Sequence, residues 1–422
     1  EANSVAMLLT SNGTTFCTGS LINNVCQNFT PYFLTAFHCL DSDSNGALST
    51  AETNNVANWV FRFRYQSSSC GGGDNTSFVS MNGSTFRAGF LNTDFSLLEL
   101  SATAASIRAN NLTLAGWSRS TTAATSAVSI HHPNGDVKKI SVDNNSLVNV
   151  STATVWARDQ FGNPILTSPA NTHWDAQFAT GTVQHGSSGA PIFDQNHRLV
   201  GQLHGNAIDA NAMAFCVNKR GQYGRFDISW TGGGTMETGL SAWLDPGNTG
   251  ATTVNTINTP VIAGPSLICT TGNFTVNQPT GSNVSWTSSS PTSLTINNST
   301  GAATRISSYN GFVTITATIT NTCGNFTVSK AVWIGSPDYL DMIAPDPFCT
   351  NRSYLISATH YTEAANVTGY NWSTSSPNLV LSGSSVKYAY STTPGPYYLY
   401  VSANNICGMT WFKFGLHFLR VI

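Results

Sequence analysis

Three short strings in a set order constrain this chain most: Phe37-His38-Cys39, Thr93-Asp94-Phe95 and Gly186-Ser187-Ser188-Gly189-Ala190-Pro191. The last places a serine between two glycines, with an apolar strand, Ile192-Phe193, behind it. Glycines let the backbone turn tightly and aim N–H groups at a substrate oxygen, as an exposed nucleophile requires. A serine is activated by an adjacent base, and a histidine base is oriented by a carboxylate. The fold must therefore bring residues 38, 94 and 188 to one point. Between them run short apolar stretches broken by Gly, Asn and Ser, such as Val5-Ala-Met-Leu-Leu9, Tyr32-Phe-Leu-Thr-Ala36 and Trp59-Val-Phe-Arg-Phe-Arg-Tyr65. These read as β-strands and turns. Composition agrees: 9% of residues are charged, against an ordinary ~25%, and Ser, Thr and Asn supply the polarity.

The 422 residues suffice for about three domains of roughly 150 each. A net charge of −2 with no basic block gives no nucleic-acid footprint. No apolar run approaches the ~20 residues of a membrane span. Glu1 reads as the start of a processed or trimmed chain. Nine cysteines with no C-x-x-C metal motif read as disulfides of a secreted protein, with one left over.

Directly after Cys39, the stretch Asp41-Ser-Asp43-Ser-Asn45-Gly46-Ala47-Leu48-Ser49-Thr-Ala-Glu52 fits the EF-hand loop template at each defined position. Asp41, Asp43 and Asn45 stand at positions 1, 3 and 5. Gly46 makes the turn at 6, Ala47 offers its carbonyl at 7, and Glu52 closes the loop at 12. Calcium needs six to eight oxygens, and this spacing supplies them from one loop. The expectation is a structural Ca2+ site with a short helix leaving it over 51–59, and no cofactor for catalysis.

The order His38, Asp94, Ser188 is the chymotrypsin-like one; other triad enzymes use other orders. Thr35-Ala-Phe-His-Cys39 closes a strand as such proteases present their base, and Asp94-Phe-Ser-Leu-Leu98 resembles their acid segment. That resemblance implies a Cys17–Cys39 disulfide holding the histidine turn; Cys26–Cys70 is the next plausible pair. It goes further in Ala115-Gly-Trp117, Ile130-His-His-Pro-Asn134, Leu199-Val-Gly-Gln-Leu-His-Gly205, Gln222-Tyr-Gly-Arg225 and Ser229-Trp-Thr-Gly-Gly-Gly234. With the three strings, these resemble the bacterial lysyl endopeptidases over residues 1–248. The resemblance implies two six-stranded barrels, about 1–110 and 111–248. Ser188 would be nucleophile, His38 general base and then acid, and Asp94 its orienting carboxylate. The N–H groups of Gly186 and Ser188 would form the oxyanion hole. Trp156 and His204 look like the family's stacked pair, and Leu203-His-Gly205 would bind the substrate main chain as an added strand. Ser187 stands where trypsin has the aspartate that receives a new N-terminus. His131 and His132 read as structural, since neighbours in a strand point to opposite faces.

The specificity residues depart from the family. The aspartate that lysyl endopeptidases place before Gln-Tyr-Gly-Arg is Gly221 here, and trypsin's alternative position is Thr182. A buried lysine ammonium without a counter-charge is costly. Asp209 would have to substitute from another direction, while His185, Lys219 and Arg220 would favour an acidic or neutral side chain. The P1 preference thus stays open among neutral or apolar, lysine, and acidic. Cys216 is the odd thiol: unpaired through loss of an N-terminal extension, or paired with Cys26 or Cys70.

Leu240-Ser-Ala-Trp-Leu-Asp-Pro246 reads as the helix that ends the protease part, and 249–260 as a linker. Two related segments follow, 261–336 and 337–422. Each has a Cys…Trp…Cys pattern: Cys269, Trp286 and Cys323, then Cys349, Trp372 and Cys407. That is an immunoglobulin-like sandwich signal, with Cys269–Cys323 and Cys349–Cys407 disulfides under the tryptophans. The segments resemble Ig-like repeats appended to secreted Bacteroidetes enzymes, as substrate- or surface-binding modules or as spacers. The whole reads as all-β, monomeric and extracellular, acting on proteins or peptides. The alternative is a catalytically inactive, protease-like adhesion protein.

Overall fold

The computed structural model describes residues 1–69, 77–206, 219–258, 260–278, 282–321, 323–338, 340–343, 348–359, 365–383 and 387–419. It falls into two units: 1–259 with 322–324, and 260–321 with 325–422.

In the first unit, β1 (Val5–Leu9), β2 (Thr15–Leu21), β3 (Tyr32–Ala36), β4 (Val60–Phe63), β5 (Val79–Asn82), β6 (Ser84–Phe90) and β7 (Phe95–Leu100) make one sheet. Its order is β5-β4-β1-β2-β3-β7-β6. β1 lies between two antiparallel neighbours, and all five of its apolar residues are buried. Phe33 meets Phe61 and Phe63 edge-on at 4.9 and 6.1 Å, a favoured aromatic geometry.

The second sheet begins at β8 (Trp117–Ser118), β9 (Ala127–His131), β10 (Lys139–Asp143) and β11 (Val148–Asn149). A separate hairpin, β12 (Thr154–Arg158) and β13 (Pro164–Ser168), follows. The sheet is completed by β14 (His173–Gln177), β15 (Pro191–Asp194), β16 (Leu199–Gly205), β17 (Arg220–Arg225) and β18 (Thr253–Val254). Its order is β10-β9-β15-β16-β17-β14-β11, with β8 between β16 and β18. Leu34, Leu97, Trp117, Phe193, Leu199, Phe226 and Trp230 form one buried cluster joining the two sheets. Burying an aliphatic or phenyl side chain of this kind contributes about 2–3 kcal/mol over leaving it exposed.

This is the chymotrypsin-like double barrel expected from the sequence. Among the described residues the sheets hold seven and nine strands rather than six each. β4 pairs with both β1 and β5, and the two-residue strands β8, β11 and β18 extend the second sheet. The expected linker is corrected for the same reason. Thr253 and Val254 pair with Ser118 and Trp117, and Ile257 bridges to Leu114. The chain therefore stays with the first unit until Thr259.

The second unit contains two β-sandwiches. In the first, Leu267–Ile268, Gly324–Ile334, Gly311–Asn321 and Asn283–Ser288 form one sheet; Thr271–Asn273, Ala302–Arg305 and Leu294–Ile296 form the other. Gly311–Asn321 alternates buried and more exposed residues, the period-two pattern of a strand with one face on a core. In the second sandwich, Asp341–Ile343, Ser353–Thr359, Lys387–Tyr390 and Val380–Ser382 face Phe348–Cys349, Gly408–Leu419, Gly395–Asn405 and Gly369–Thr374.

The disulfides differ from three of the four expected pairs. Cys17–Cys39 is present. Cys26 is bonded to Cys323, not Cys70, and Cys269 to Cys407, not Cys323. Cys349 keeps a free thiol, so Cys349–Cys407 does not form. Cys323 and Cys407 sit in hairpin turns and Cys269 follows a strand end. None of them faces its own sandwich core, and a disulfide joins only cysteines with Cα atoms about 4.4–6.8 Å apart. Trp286 accordingly packs among Phe274, Leu294 and Ile315 instead of on a disulfide. Cys70 and Cys216 lie outside the described residues.

Candidate active site

The strand register brings the first two site residues together. β3 and β7 are antiparallel with Ala36 opposite Phe95. The residues just beyond that pair, His38 in a 3-10 turn and Asp94 ahead of β7, must then face each other. The Phe37 N–H donates to the Asp94 carbonyl at 2.7 Å, extending the ladder by one rung. Asp94 takes φ +56°, an uncommon left-handed conformation for a non-glycine residue. That conformation turns its fully buried carboxylate back onto the histidine. Oδ1 accepts the His38 backbone N–H at 2.9 Å, and Oδ2 accepts the imidazole at Nδ1 at 2.8 Å. The bond to Nδ1 leaves Nε2 as the basic nitrogen. Burial opposes the imidazolium, but the charge and hydrogen bond of Asp94, with a smaller contribution from Asp41, outweigh it. The His38 pKa is raised above the ordinary imidazole range.

His204 stacks on His38 with centroids 5.4 Å apart, and Trp156 stacks on the other side at 3.5 Å. A further member, His173, carries no signal in the sequence; it is buried 3.0 Å from His204. Thr172 Oγ1 donates to the Pro169 carbonyl at 2.7 Å and so accepts from His173 Nδ1 at 2.9 Å. His173 Nε2 is left to accept the His204 Nδ1 proton. Burial pushes His173 down to about 4. Burial, with His38 and His173 nearby, holds His204 well below its usual range. Both rings are therefore neutral, and no second cation competes for Asp94, whose Oδ2 is 3.7 Å from His204.

Ser188 lies on the loop entering β15. Gly186 and Gly189 have φ +83° and +80°. A Cβ on Gly189 would lie 2.3 Å from Thr35 Oγ1 and 2.4 Å from the Thr18 carbonyl, so only glycine fits. The loop is held by its carbonyls: Asn134 N–H donates to His185 (2.6 Å), Thr18 Oγ1 to Gly186 (2.7 Å) and Thr18 N–H to Ser188 (2.8 Å). Among the described residues the N–H groups of Gly186 and Ser188 have no acceptor, and no bond joins the Ser188 hydroxyl to His38. Catalytic hydrogen bonds are often long until substrate binds. The Ser188 carbonyl lies 3.9 Å from Cys39 Sγ, beside the histidine turn.

The expected specificity residues are dispersed. Gly221 is buried opposite Ala176, and a Cβ there would touch Leu203, Tyr223 and Val183 at 3.1–3.4 Å, an apolar wall. The Arg220 guanidinium bonds Asp175 at 2.6 Å. Thr182 is half-buried with its carbonyl on Ser141, and His185 is exposed. Leu203 corrects one expectation. Its N–H donates to Ala190 and its carbonyl accepts from Gly189, so its backbone already serves the fold. His204 and Gly205 stand at a β-bulge, with Gly205 paired to Gln222 of β17. Asp209 lies outside the described residues.

In the 41–52 loop, carboxylate oxygens of Asp41, Asp43 and Glu52 lie within 4.8 Å of one another. Asp41 Oδ2 accepts the Gly46 N–H at 2.8 Å, and Asn45 Oδ1 accepts the Ala47 N–H at 2.8 Å. Glu52 forms a capping box with Ser49 at the start of α1 (Thr50–Asn55) and also accepts from Ser42. Those donors, Ser49 first, hold its carboxyl down to about 2. The His38 turn and this loop are separated by Leu40 alone.

Residues 1–223 match the family described as lysyl endopeptidase, C-terminal domain. Among solved structures, the Vibrio cholerae VesB protease is 14% identical, covering 79% of this chain and 95% of that one, with a TM-score of 0.35. A Glu endopeptidase is 16% identical, covering 53% and 85%, with a TM-score of 0.27. The D00–D0 domain of intimin is 13% identical, covering 38% and 100%, with a TM-score of 0.24.

Proposed function

The chain belongs to the lysyl endopeptidase C-terminal domain family, and on that premise we propose that it is a secreted bacterial serine endopeptidase. Ser188 attacks the peptide carbonyl, and His38 takes its proton and later returns it to the leaving amine. Asp94 holds the imidazole, while the N–H groups of Gly186 and Ser188 receive the oxyanion. One observation carries this reading: a buried carboxylate bonds both the backbone and Nδ1 of His38, beside a glycine-turned serine loop with two unengaged N–H groups. The alternative, an inactive adhesion protein, predicts no reaction of Ser188 with a serine-directed phosphonate.

The substrate side chain after which it cuts is neutral or apolar. The wall around Gly221 is formed by Leu203, Tyr223 and Val183, and the Arg220 charge is balanced by Asp175. A lysine entering such a wall would lose hydration without a counter-charge. Cleavage-site profiling on a proteome-derived peptide library should enrich neutral or apolar residues at P1. Enrichment of lysine or of glutamate there would overturn this assignment.

The loop around Asp41, Asp43, Asn45, Ala47 and Glu52 holds a structural Ca2+. Its carboxylates converge. Asp41 and Asp43 each keep lone pairs beyond their hydrogen bonds. Glu52 accepts from the N–H and hydroxyl of both Ser42 and Ser49, so the ion takes the place of those hydroxyl donors. An ion present at about 100 times its Kd stabilises a fold by about 2.7 kcal/mol. For a unit of this size that corresponds to roughly 5–10 °C in Tm. Chelation should lower Tm by that amount in the parent but not in Glu52→Gln or Asp43→Ala. Identical melting with calcium and with chelator would reject the site. The two sandwiches are Ig-like modules for substrate or surface attachment, or spacers.

A further inference from the structure

We infer that His131 is a positioning residue that, through Ser141 and Ser187, locks the nucleophile loop with the Gly186 and Ser188 N–H groups facing one point. The inference rests on the endopeptidase reading above. Ser187, between those two donors, points inward and is fully buried. Its Oγ is 2.8 Å from His131 Nδ1, and His131 Nε2 is 2.9 Å from Ser141 Oγ. Ser141 has one hydroxyl proton and gives it to the Thr182 carbonyl at 3.3 Å. His131 Nε2–H must then donate to Ser141, leaving Nδ1 as acceptor for the Ser187 proton. The Ser187 oxygen in turn accepts the Gln184 N–H at 3.3 Å.

The chain of bonds thus begins at residue 182 and ends at residue 187 of the same loop. It passes through two strands that cannot move independently. β9 and β10 are paired with His131 opposite Lys139 and Ser141 opposite Ser129. Residues 181–190 belong to no strand. The peptides on either side of Ser187 are held only by local turn bonds, Ser187 N–H to the Gln184 carbonyl (3.0 Å) and Ala190 N–H to the Ser187 carbonyl (2.9 Å), and by Thr18 Oγ1 on the Gly186 carbonyl. The Ser187 side chain is therefore their tie to β9. Burial pushes His131 down to about 4, which keeps the ring neutral and the acceptor at Nδ1 available at ordinary pH. Losing the staple frees Ser187 to turn, and the two N–H groups then no longer converge on one oxygen.

The test compares Ser187→Ala, His131→Leu, His131→Gln and the Ser187→Ala/His131→Leu double variant. For each we would measure kcat and KM on a peptide substrate, binding of a peptidyl trifluoromethyl ketone and of the product peptide, and Tm. Removing one oxyanion donor typically costs about 10²–10³ in kcat, so Ser187→Ala and His131→Leu should lose roughly 10- to 100-fold in kcat with KM little changed. Binding of the ketone, whose adduct carries an oxyanion, should weaken in step while the product peptide binds as before. The double variant should be no worse than the poorer single one, as members of one unit are not additive. His131→Gln can both donate and accept and should recover most of the activity. Ser187→Ala within threefold of the parent, multiplying losses in the double variant, or a Gln variant as slow as the Leu variant would each overturn the inference. Since Ser187→Ala removes one oxygen only, it decides the matter even where His131→Leu folds poorly. A parent chain that fails to react with the phosphonate would instead strike the endopeptidase reading.

Discussion

Ser188→Ala is expected to lower kcat for peptide hydrolysis by about five to six orders of magnitude, the scale seen when the nucleophile of such a unit is removed. The fold should not suffer. The Ser188 hydroxyl has no partner among the described residues, and the loop is held by its carbonyls and its glycines. No buried group is orphaned by the change. Kinetics on a fluorogenic peptide, a phosphonate labelling assay and a melting curve together check this. Labelling should vanish while Tm stays within about a degree of the parent. More than a hundredth of the parental activity would mean that Ser188 is not the nucleophile.

Asp94→Asn is expected to cost about 10⁴ in kcat, because an amide can present an N–H to Nδ1 and so favour the wrong tautomer. The same variant tests the electrostatics. In the parent, the Asp94 charge raises the His38 pKa despite burial. The base is active only when neutral, so kcat/KM should climb with pH through an ionisation above the ordinary imidazole value of about 6.5. In Asp94→Asn that ionisation should fall to or below the ordinary value, since burial is then opposed only by the smaller effect of Asp41. The stability linkage has matching sign. A raised folded-state pKa means that the His38–Asp94 pair stabilises the fold below the unfolded pKa, and that this is lost as pH rises through the folded one. A parental profile rising below pH 6, or one unchanged by the substitution, would contradict this assignment.

The legible parts of the site were those set by local spacing. His38 and Asp94 stand at the adjoining ends of two strands whose pairing follows from their apolar pattern. Gly189 could be read because left-handed backbone with no room for a Cβ leaves no other residue. The 41–52 loop was legible because its oxygen donors all lie within twelve positions. What local spacing does not contain was missed. His173 on β14 reaches His204 on β16 only across β17, which lies between the two strands, and no residue near either announces it. His131 read as structural because adjacent histidines in a strand point to opposite faces; its partners, Ser141 and Ser187, stand 10 and 56 residues away. The wall around Gly221 was visible only as an absent charge, since Leu203 of β16, Tyr223 of β17 and Val183 of the loop before β15 meet only in the fold.

The cysteines mark the same boundary most sharply. Their number and their use in disulfides followed from the chain, but three of the four expected pairs did not form as drawn. Covalent pairing depends on which Cα atoms come within a few ångströms, and hairpin turns carry Cys323 and Cys407 away from their sandwich cores. By itself, the sequence determined the all-β class, the two-barrel order of the site residues and the oxygen-rich loop, because backbone conformation and hydrophobic period are written locally. Tertiary structure alone decided the disulfide partners, the His173 bond behind His204 and the contacts of His131 with Ser141 and Ser187. Each depends on distances between residues whose spacing along the chain says nothing about their spacing in the fold.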